Sequence, residues 1–204
     1  MQNRFSCDII KQKGDNMADN INFLENVLSS NNVVKNIEKN LDALLKIIPE
    51  IKPMIGFEHK HPHHHLDVWQ HTLYALSLSL NEYDVRLALL LHDIGKPKCF
   101  QEGDKVRHFY GHAKTSCQIA NKVLKRFGYD NDFVDYICKI ILLHDTPLKQ
   151  EDLQKDLALS KKIFEVQKCD AMAHNPAFNK KRLEYIQSLT IVFDKFEITS
   201  QNTK

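Results

Sequence analysis

Turn-forming residues are sparse in this chain, and that scarcity constrains its fold more than any other feature. Only six Gly and six Pro occur among 204 residues, whereas a fold of many short strands needs frequent turns. No segment shows the sustained alternation of apolar and polar residues that is typical of a half-buried strand. The sequence therefore predicts an all-α bundle, with a loop or small hairpin near residues 99–109, where Glu102-Gly103-Asp104 separates short mixed runs.

Start and stop signals predict the individual helices. Residues 85–94 are almost continuously apolar, which predicts a buried helix that Gly95 and Pro97 terminate. Asp67 and Ser160 are favourable N-caps for two further helices. Apolar residues at helical spacing predict the remaining helices within 21–48 and over about 113–127, 132–144 and 180–196.

Composition limits the class of protein. A hydrophobic content of 43% and a net charge of +2 exclude an intrinsically disordered chain. No apolar run approaches the roughly 18 residues of a membrane helix, and the polar N-terminus does not read as a signal peptide. Five Cys without a CxxC pair indicate reduced thiols. We therefore expect a flexible segment over residues 1–20 and one cytoplasmic domain over 21–200, without a membrane partner.

Histidine is abundant, at 11 residues, and several histidines and two aspartates lie at or near predicted helix ends. His92 and Asp93 end an otherwise apolar helix, where a buried unpaired charge is costly. A divalent cation satisfies both side chains, and imidazole with carboxylate suits first-row transition metals. The second oxygen of Asp93 could reach another ion. The candidate ligands are His71, His92, Asp93, His112, His144 and Asp170.

Five stretches of sequence, in order, carry a resemblance to a known family. They read LDVWQHTLYAL, LLLHDIGKP, HFYGHAKTS, IILLHD and KCDAMAHNP, within roughly 64–176. Together they resemble the HD-domain superfamily of metal-dependent phosphohydrolases, and within it the HD domains of bacterial tRNA nucleotidyltransferases. The His-His-Glu run typical of cyclic-dinucleotide phosphodiesterases in that superfamily is missing, because Leu143-His144-Asp145 occurs instead.

The resemblance implies two divalent ions, drawn from Mn, Fe, Co, Ni, Mg and Zn, with water or hydroxide between them as the nucleophile. Asp93 would bridge the two ions. The first ion would also be held by His71, His92 and Asp170. The second ion would also be held by His112 and His144.

Substrate contacts are expected beside these ligands. The resemblance implies that Lys96 contacts the substrate phosphate and acts in catalysis with Asp93, and that His64 lines the pocket. Arg107 belongs to a local excess of Lys and Arg between residues 96 and 126, which is compatible with an anionic substrate. We therefore count Lys96, His64 and Arg107 as candidate substrate-binding residues.

Several of these residues also have plainer interpretations. Lys96 could be a solvated cation at the C-terminus of a helix, and Asp170 could be an ordinary carboxylate on a helix face. We interpret the histidines between residues 59 and 65 as a solvated loop in which only His64 or His65 matters. Three further residues are left outside the site, as structural or supporting side chains: His108, Asp145 and His174.

Three functions are compatible with these residues. The one we favour is a metal-dependent phosphohydrolase that cleaves a phosphomonoester or cyclic phosphodiester of a nucleotide-like or other phosphorylated small molecule, with RNA ends as a further substrate. The second is a non-catalytic module that binds metal and senses a nucleotide or RNA. The third is a structural metal site in which protein closes every coordination position.

Overall fold

A computed structural model describes residues 17–201 of the chain, and helices dominate it. The predicted all-α class is confirmed, and the sheet found among these residues is a two-stranded hairpin. No helix in this part of the chain combines the length and apolar character needed to cross a membrane. The helices are α1 (17–28), α2 (Val33–Lys39), α3 (Leu41–Ile47), α4 (Val68–Leu78), α5 (Tyr83–Leu91), α6 (Lys96–Cys99), α7 (His112–Phe127), α8 (Asn131–Leu143), α9 (Gln150–Lys155), α10 (Leu157–Met172) and α11 (Lys180–Gln201), with 3-10 turns at Pro49–Met54 and Pro176–Phe178.

Helix α5 forms the centre of the bundle. Every residue from Val85 to Leu91 is buried, and the helix packs against α4, α7, α8 and α10. A helix that is covered on all sides needs almost no polar face, which explains the nearly continuous apolar run in its sequence. Because α5 lies at the centre of the bundle, the residues that directly follow it, His92 and Asp93, are also buried in the interior.

The predicted hairpin lies beside the bundle. Strand β1 (Gln101–Glu102) pairs antiparallel with β2 (Arg107–His108), inside the predicted range 99–109. The backbone N–H of Arg107 also donates to the carbonyl of Lys60 at 3.0 Å. This bond joins the hairpin to the histidine-rich segment that precedes α4.

Helix N-caps show where sequence signals compete. Asp67 caps α4 as predicted, since its side chain accepts a backbone hydrogen bond from the first turn. The predicted cap at Ser160 is wrong, because α10 begins at Leu157 and the Asp156 side chain caps it. Asp is at least as good an N-cap as Ser, so the earlier residue starts the helix and Ser160 falls inside its first turn.

Three short helices precede α4 in the region predicted to be helical within 21–48. Asn32 caps α2 through its side chain, and Asn40 lies at the break between α2 and α3. Helix α1 begins at residue 17, inside the segment 1–20 that was expected to be flexible, whereas residues 1–16 lie outside the described part of the chain. The division into a flexible N-terminus and one domain over 21–200 stays a prediction.

Gly95 allows two parts of the site to approach each other. A Cβ at this position would lie 2.6 Å from the backbone N of Ser116 and 2.9 Å from the carbonyl oxygen of His112. Real Cβ atoms do not approach so closely, so any larger residue would displace the segment after α5 from the first turn of α7. The glycine thereby keeps Asp93 and Lys96 close to His112, the first residue of α7.

Candidate metal centre

The six residues predicted as metal ligands converge in the interior of the bundle. Burying several carboxylates and imidazoles side by side is costly unless they bond to one another or to an ion of opposite charge. All except His112 are at most 3% exposed. The helices bring them from five places in the chain: His71 from α4, His92 and Asp93 from the segment after α5, His112 from the start of α7, His144 from the end of α8 and Asp170 from α10.

Asp93 lies between two groups of ligand atoms. Its Oδ2 is 3.2 Å from Nε2 of His92 and 3.7 Å from Nε2 of His71. Its Oδ1 is 3.6 Å from Nε2 of His112 and 3.9 Å from Nε2 of His144. One carboxylate therefore joins a group of four potential ligands to a group of three.

Asp170 completes the first group. Its Oδ1 lies 2.9 Å from Nε2 of His71 and 3.7 Å from Nε2 of His92. Its Oδ2 accepts a hydrogen bond from Arg182 at 2.6 Å. Arg182 thus occupies one carboxylate oxygen and leaves the other directed at the two histidines.

Backbone carbonyls orient all four histidine rings. A carbonyl oxygen can only accept, so each Nδ1 carries a hydrogen, and in the neutral ring each Nε2 has its lone pair facing the centre. This is the arrangement in which imidazole commonly binds a metal. The Nδ1 to oxygen distances are 3.3 Å from His71 to Ala173, 2.7 Å from His92 to Leu89, 3.0 Å from His112 to Phe109 and 2.6 Å from His144 to Ile141.

These ligand atoms fit divalent ions. The Nε2 atoms of His112 and His144 lie 3.2 Å apart, and because both are acceptors their lone pairs repel each other. In the part of the chain that the structure describes, His92 Nε2 and Asp93 Oδ1 are buried without a hydrogen-bond partner. Donor atoms held at about 2.0–2.2 Å from one ion lie roughly 3–3.5 Å from each other, which is close to the spacing found in both groups.

The electrostatics of the centre favour a cation. Burial alone would raise the pKa of Asp93, but His92 and Lys96 hold it well below its usual range. Burial alone would lower the pKa of His92, but Asp93 and Asp170 outweigh that effect and raise it to about 10, so this ring would give up a proton on binding a metal. For His144, burial and the nearby charge of His92 lower the pKa to about 4. The ionised Asp93 therefore attracts positive charge while His144 is neutral, the form that binds metal.

Lys96 is buried beside the candidate metal centre. Its side chain is buried, and its Nζ lies 2.7 Å from Asp93 Oδ2 as an ion pair. The same Nζ donates to Nε2 of His59 at 3.1 Å. His59 Nδ1 lies 2.9 Å from the carbonyl oxygen of Leu66, so Nδ1 carries the hydrogen and Nε2 accepts. The interpretation of Lys96 as a solvated cation at a helix end does not fit this environment.

The histidine-rich segment before α4 is only partly solvated. His59 is 1% exposed, so the interpretation of this segment as a solvated loop is wrong for that residue. The ring of His64 stacks on His59 with centroids 3.8 Å apart and borders the cavity over the centre, whereas His65 is exposed. Closely spaced histidines look alike in sequence, and only the tertiary fold distinguishes the buried one.

Arg107 lies in the cavity wall with its guanidinium already engaged. It donates to the carbonyl of Glu58 at 2.7 Å and forms an ion pair with Glu102. The guanidinium carbon also lies 4.8 Å from the ring centroids of Phe57 and Phe100. Since all three guanidinium nitrogens have partners, the geometry favours a structural role over the expected substrate contact.

Two residues outside the predicted site contact its ligands. Arg182 of α11 bonds Asp170 and also donates to Asp145 at 2.9 Å. His174 donates from Nδ1 to the backbone carbonyl of Asp170 at 2.8 Å, and burial lowers the pKa of His174 to about 4. Arg182 follows two lysines in the sequence, so no local signal distinguishes it from a solvated cation.

A cavity of about 490 Å³ opens onto this centre. It is bordered by His112 and His144 of the second ligand group, and by Lys96, Lys181 and Arg182, which contribute positive charge. Its volume lies within the range of about 300–1,000 Å³ that is usual for small-molecule sites. The group of three ligands therefore faces a space that can admit water and an anionic substrate.

Comparisons with known proteins identify related sequences for part of the chain. A family model described as HD domain matches residues 63–174. The CC-adding tRNA nucleotidyltransferase of Thermus thermophilus is 31% identical over 111 residues, covering 51% of this chain and 25% of that protein. The A-adding tRNA nucleotidyltransferase of Deinococcus radiodurans is 31% identical over 98 residues, covering 45% and 23%. A multifunctional CCA protein of Legionella pneumophila is 31% identical over 110 residues, covering 52% and 26%. The chain thus spans about a quarter of each relative.

Proposed function

This chain belongs to the HD domain family, and from that premise we propose that it is a metal-dependent phosphohydrolase. Its substrate is a phosphomonoester or cyclic phosphodiester of a nucleotide-like molecule. The observation that carries the proposal is the position of Asp93, whose two buried oxygens face two separate groups of ligand atoms. Such a carboxylate suits two ions that act on one phosphoryl group.

The ligands would divide between two ions according to the oxygen of Asp93 that each one faces. When bound, the ions supply Lewis acidity, which activates water and neutralises charge on the phosphoryl oxygens. Asp93, on the side of Oδ2, would hold the first ion together with His71, His92 and Asp170. Asp93, on the side of Oδ1, would hold the second ion together with His112 and His144.

Lys96 is suited to bind a phosphoryl oxygen. An ammonium group has three donors, and the contacts to Asp93 and His59 occupy two of them. The side chain borders the cavity, so the third N–H is available to a substrate. A fixed donor in a buried site stabilises negative charge that develops during phosphoryl transfer.

Arg182 supports the same reaction from the other side of the centre. Its bond to Asp170 Oδ2 keeps Oδ1 directed at His71 and His92. Its guanidinium also borders the cavity beside Lys181, where it adds to the positive charge that attracts an anion. Arg182 is therefore a positioning residue for a ligand and a source of electrostatic attraction.

The relatives suggest an RNA end as a second candidate substrate. Two of them are named as tRNA nucleotidyltransferases and the third as a multifunctional CCA protein. Because the chain matches about a quarter of each of them, the shared part need not carry their nucleotidyltransferase reaction. A free nucleotide and a phosphorylated RNA end present the same phosphoester to the centre, so both belong in the test.

A screen of product formation tests the proposed activity. Nucleoside monophosphates, nucleoside 2′,3′-cyclic phosphates and a phosphorylated oligonucleotide are each incubated with Mn, Co, Ni, Mg or Zn, and products are separated by chromatography. We expect turnover with at least one ion, its complete loss in chelator, and its recovery when the ion is restored.

Two other outcomes of this screen would contradict hydrolysis. Nucleotide binding without product, whatever the metal, would favour the non-catalytic module. Unfolding on chelation, monitored by circular dichroism, with no turnover in any loaded form, would favour a structural metal site.

A further inference from the structure

Five rings form a continuous series of contacts in the wall of the cavity. Tyr110 stacks on His108 with centroids 5.2 Å apart and planes 12° apart, and His61 and His63 stack at 5.0 Å and 22°. His61 joins the two pairs at 6.4 Å from His108. His63 continues the arc to Phe178 at 6.1 Å. All five residues border the same cavity, and we call them the ring arc.

The two ends of the ring arc are unusually open to solvent. Tyr110 is 69% exposed and Phe178 is 55% exposed. Exposed aromatic surface is unfavourable in water, and here it occurs at both ends of the ring arc, in the lining of the cavity that borders the metal centre. Its position favours a binding role over incidental exposure.

The contents of the cavity indicate what kind of ligand would use this surface. Lys96, Lys181 and Arg182 border the same cavity as the arc and supply positive charge. A ligand that fills it therefore combines an anionic group at the centre with a planar, apolar group at the ring arc. Nucleobases stack on aromatic side chains irrespective of sequence, because every base has a π-face.

We propose that the ring arc binds the nucleobase of the substrate while its phosphoester lies at the metal centre. This inference rests on the proposed function and adds the residues that select a substrate carrying a base. Two members of the arc, His61 and Phe178, lie outside the segment 63–174 that matches the family. Base recognition is thus assigned partly to residues from flanking segments of this chain.

The width of the arc leaves two sources of the base. Its four successive ring separations of 5.0–6.4 Å make it broader than one base. It can accept a free nucleotide on part of its surface or the last bases of a single strand on more of it. Both ligands present a base and a phosphoester, so the dependence of affinity on oligonucleotide length distinguishes a free nucleotide from a single strand.

Binding measurements test the ring arc without requiring turnover. The probes are the hydrolysis-resistant phosphonates of adenosine 5′-monophosphate and of ribose 5-phosphate, titrated calorimetrically into Mn-loaded protein. Loss of one stacking partner weakens binding of a base roughly 5- to 100-fold. We expect that loss for the adenosine probe in Tyr110→Ala and in Phe178→Ala, with the ribose probe unchanged and Tyr110→Phe close to wild type.

Tyr74 provides a matched control and an oligonucleotide separates the two sources. Tyr74 is 43% exposed on α4 and borders a different groove, so Tyr74→Ala should bind both probes like wild type.

A five-residue oligoadenylate that ends in the same phosphonate should bind more tightly than the mononucleotide probe if a strand is the natural ligand. Equal affinity of the two would indicate a free nucleotide.

Specific results would contradict the proposal that the ring arc binds the base. One is a wild-type protein that binds the adenosine probe no better than the ribose probe. Another is an equal loss of both probes in the two alanine variants. Turnover with unchanged adenosine affinity in these variants would refute the arc and leave hydrolysis intact. Arc-dependent binding without turnover of any substrate would refute hydrolysis and leave the arc intact.

Discussion

Asp93→Asn is expected to lower the kcat for phosphoester hydrolysis at least about 1000-fold while the protein remains folded. Asparagine keeps the shape of the side chain but removes the charge and one of the two ligand oxygens that face the two groups. Metal ions contribute several kcal/mol to stabilisation of the transition state, and each 1.36 kcal/mol corresponds to a tenfold change in rate. Loss of the shared ligand should therefore silence the enzyme and reduce its metal content together.

The matched control for this variant is Asp135→Asn. Asp135 is exposed on α8, and the same exchange there should leave both kcat and metal content at the wild-type level. Circular dichroism and thermal denaturation show whether either variant is unfolded. A folded Asp93→Asn protein with kcat within about tenfold of wild type would contradict the bridging role of Asp93.

Lys96→Met is expected to reduce kcat about 100- to 1000-fold without loss of metal. Removing one fixed donor to developing negative charge typically has an effect of that size. Because Nζ lies 2.7 Å from Asp93 Oδ2, the substitution also removes a competing cation, so binding of Mn should be unchanged or tighter. Retained metal with lost turnover distinguishes this variant from Asp93→Asn. The control is Lys98→Met, an exposed position two residues further along the same short helix.

His59 provides a second test of how Lys96 is held. His59→Phe keeps a ring but removes the Nε2 acceptor that contacts Lys96 at 3.1 Å, and one such bond to a charged group accounts for about tenfold in rate. His59→Gln supplies an amide oxygen that can accept the same bond, so it should recover most of kcat. Equal loss in both variants at unchanged thermal stability would contradict a positioning role for His59.

Several features of the fold could be predicted because local sequence determines them. The apolar run of α5 predicted a helix buried on all sides, and Asp67 predicted the start of α4. The hairpin followed from a Gly between short mixed runs. Ser160 failed as a cap because Asp156, four residues earlier, competes for the same end of α10.

The site was predictable to the extent that its residues lie at helix ends with distinctive neighbours. His92 and Asp93 follow an apolar helix, and from this position their burial could be predicted. The environments of Arg107 and His59 depend on contacts between distant segments. Arg107 is held by a neighbouring strand and two rings, and His59 is buried by tertiary packing; neither sequence neighbourhood reveals this.

Arg182 illustrates the same limit for residues outside the recognised motifs. It lies beyond residues 63–174, in a run of three cations at the start of α11. Only the packing of that helix beside α10 brings it to Asp170 and Asp145. A basic residue on an amphipathic helix is by default a solvated one, so its contact with a buried carboxylate could not be inferred.

Anomalous diffraction from Mn-soaked crystals tests the two-metal centre most directly. Data collected at the manganese edge locate each bound ion independently of any assay of turnover. We expect two peaks on opposite sides of the Asp93 carboxylate, one among His71, His92 and Asp170 and the other beside His112 and His144. The absence of both peaks at saturating Mn, or peaks only at other positions, would contradict the proposed centre.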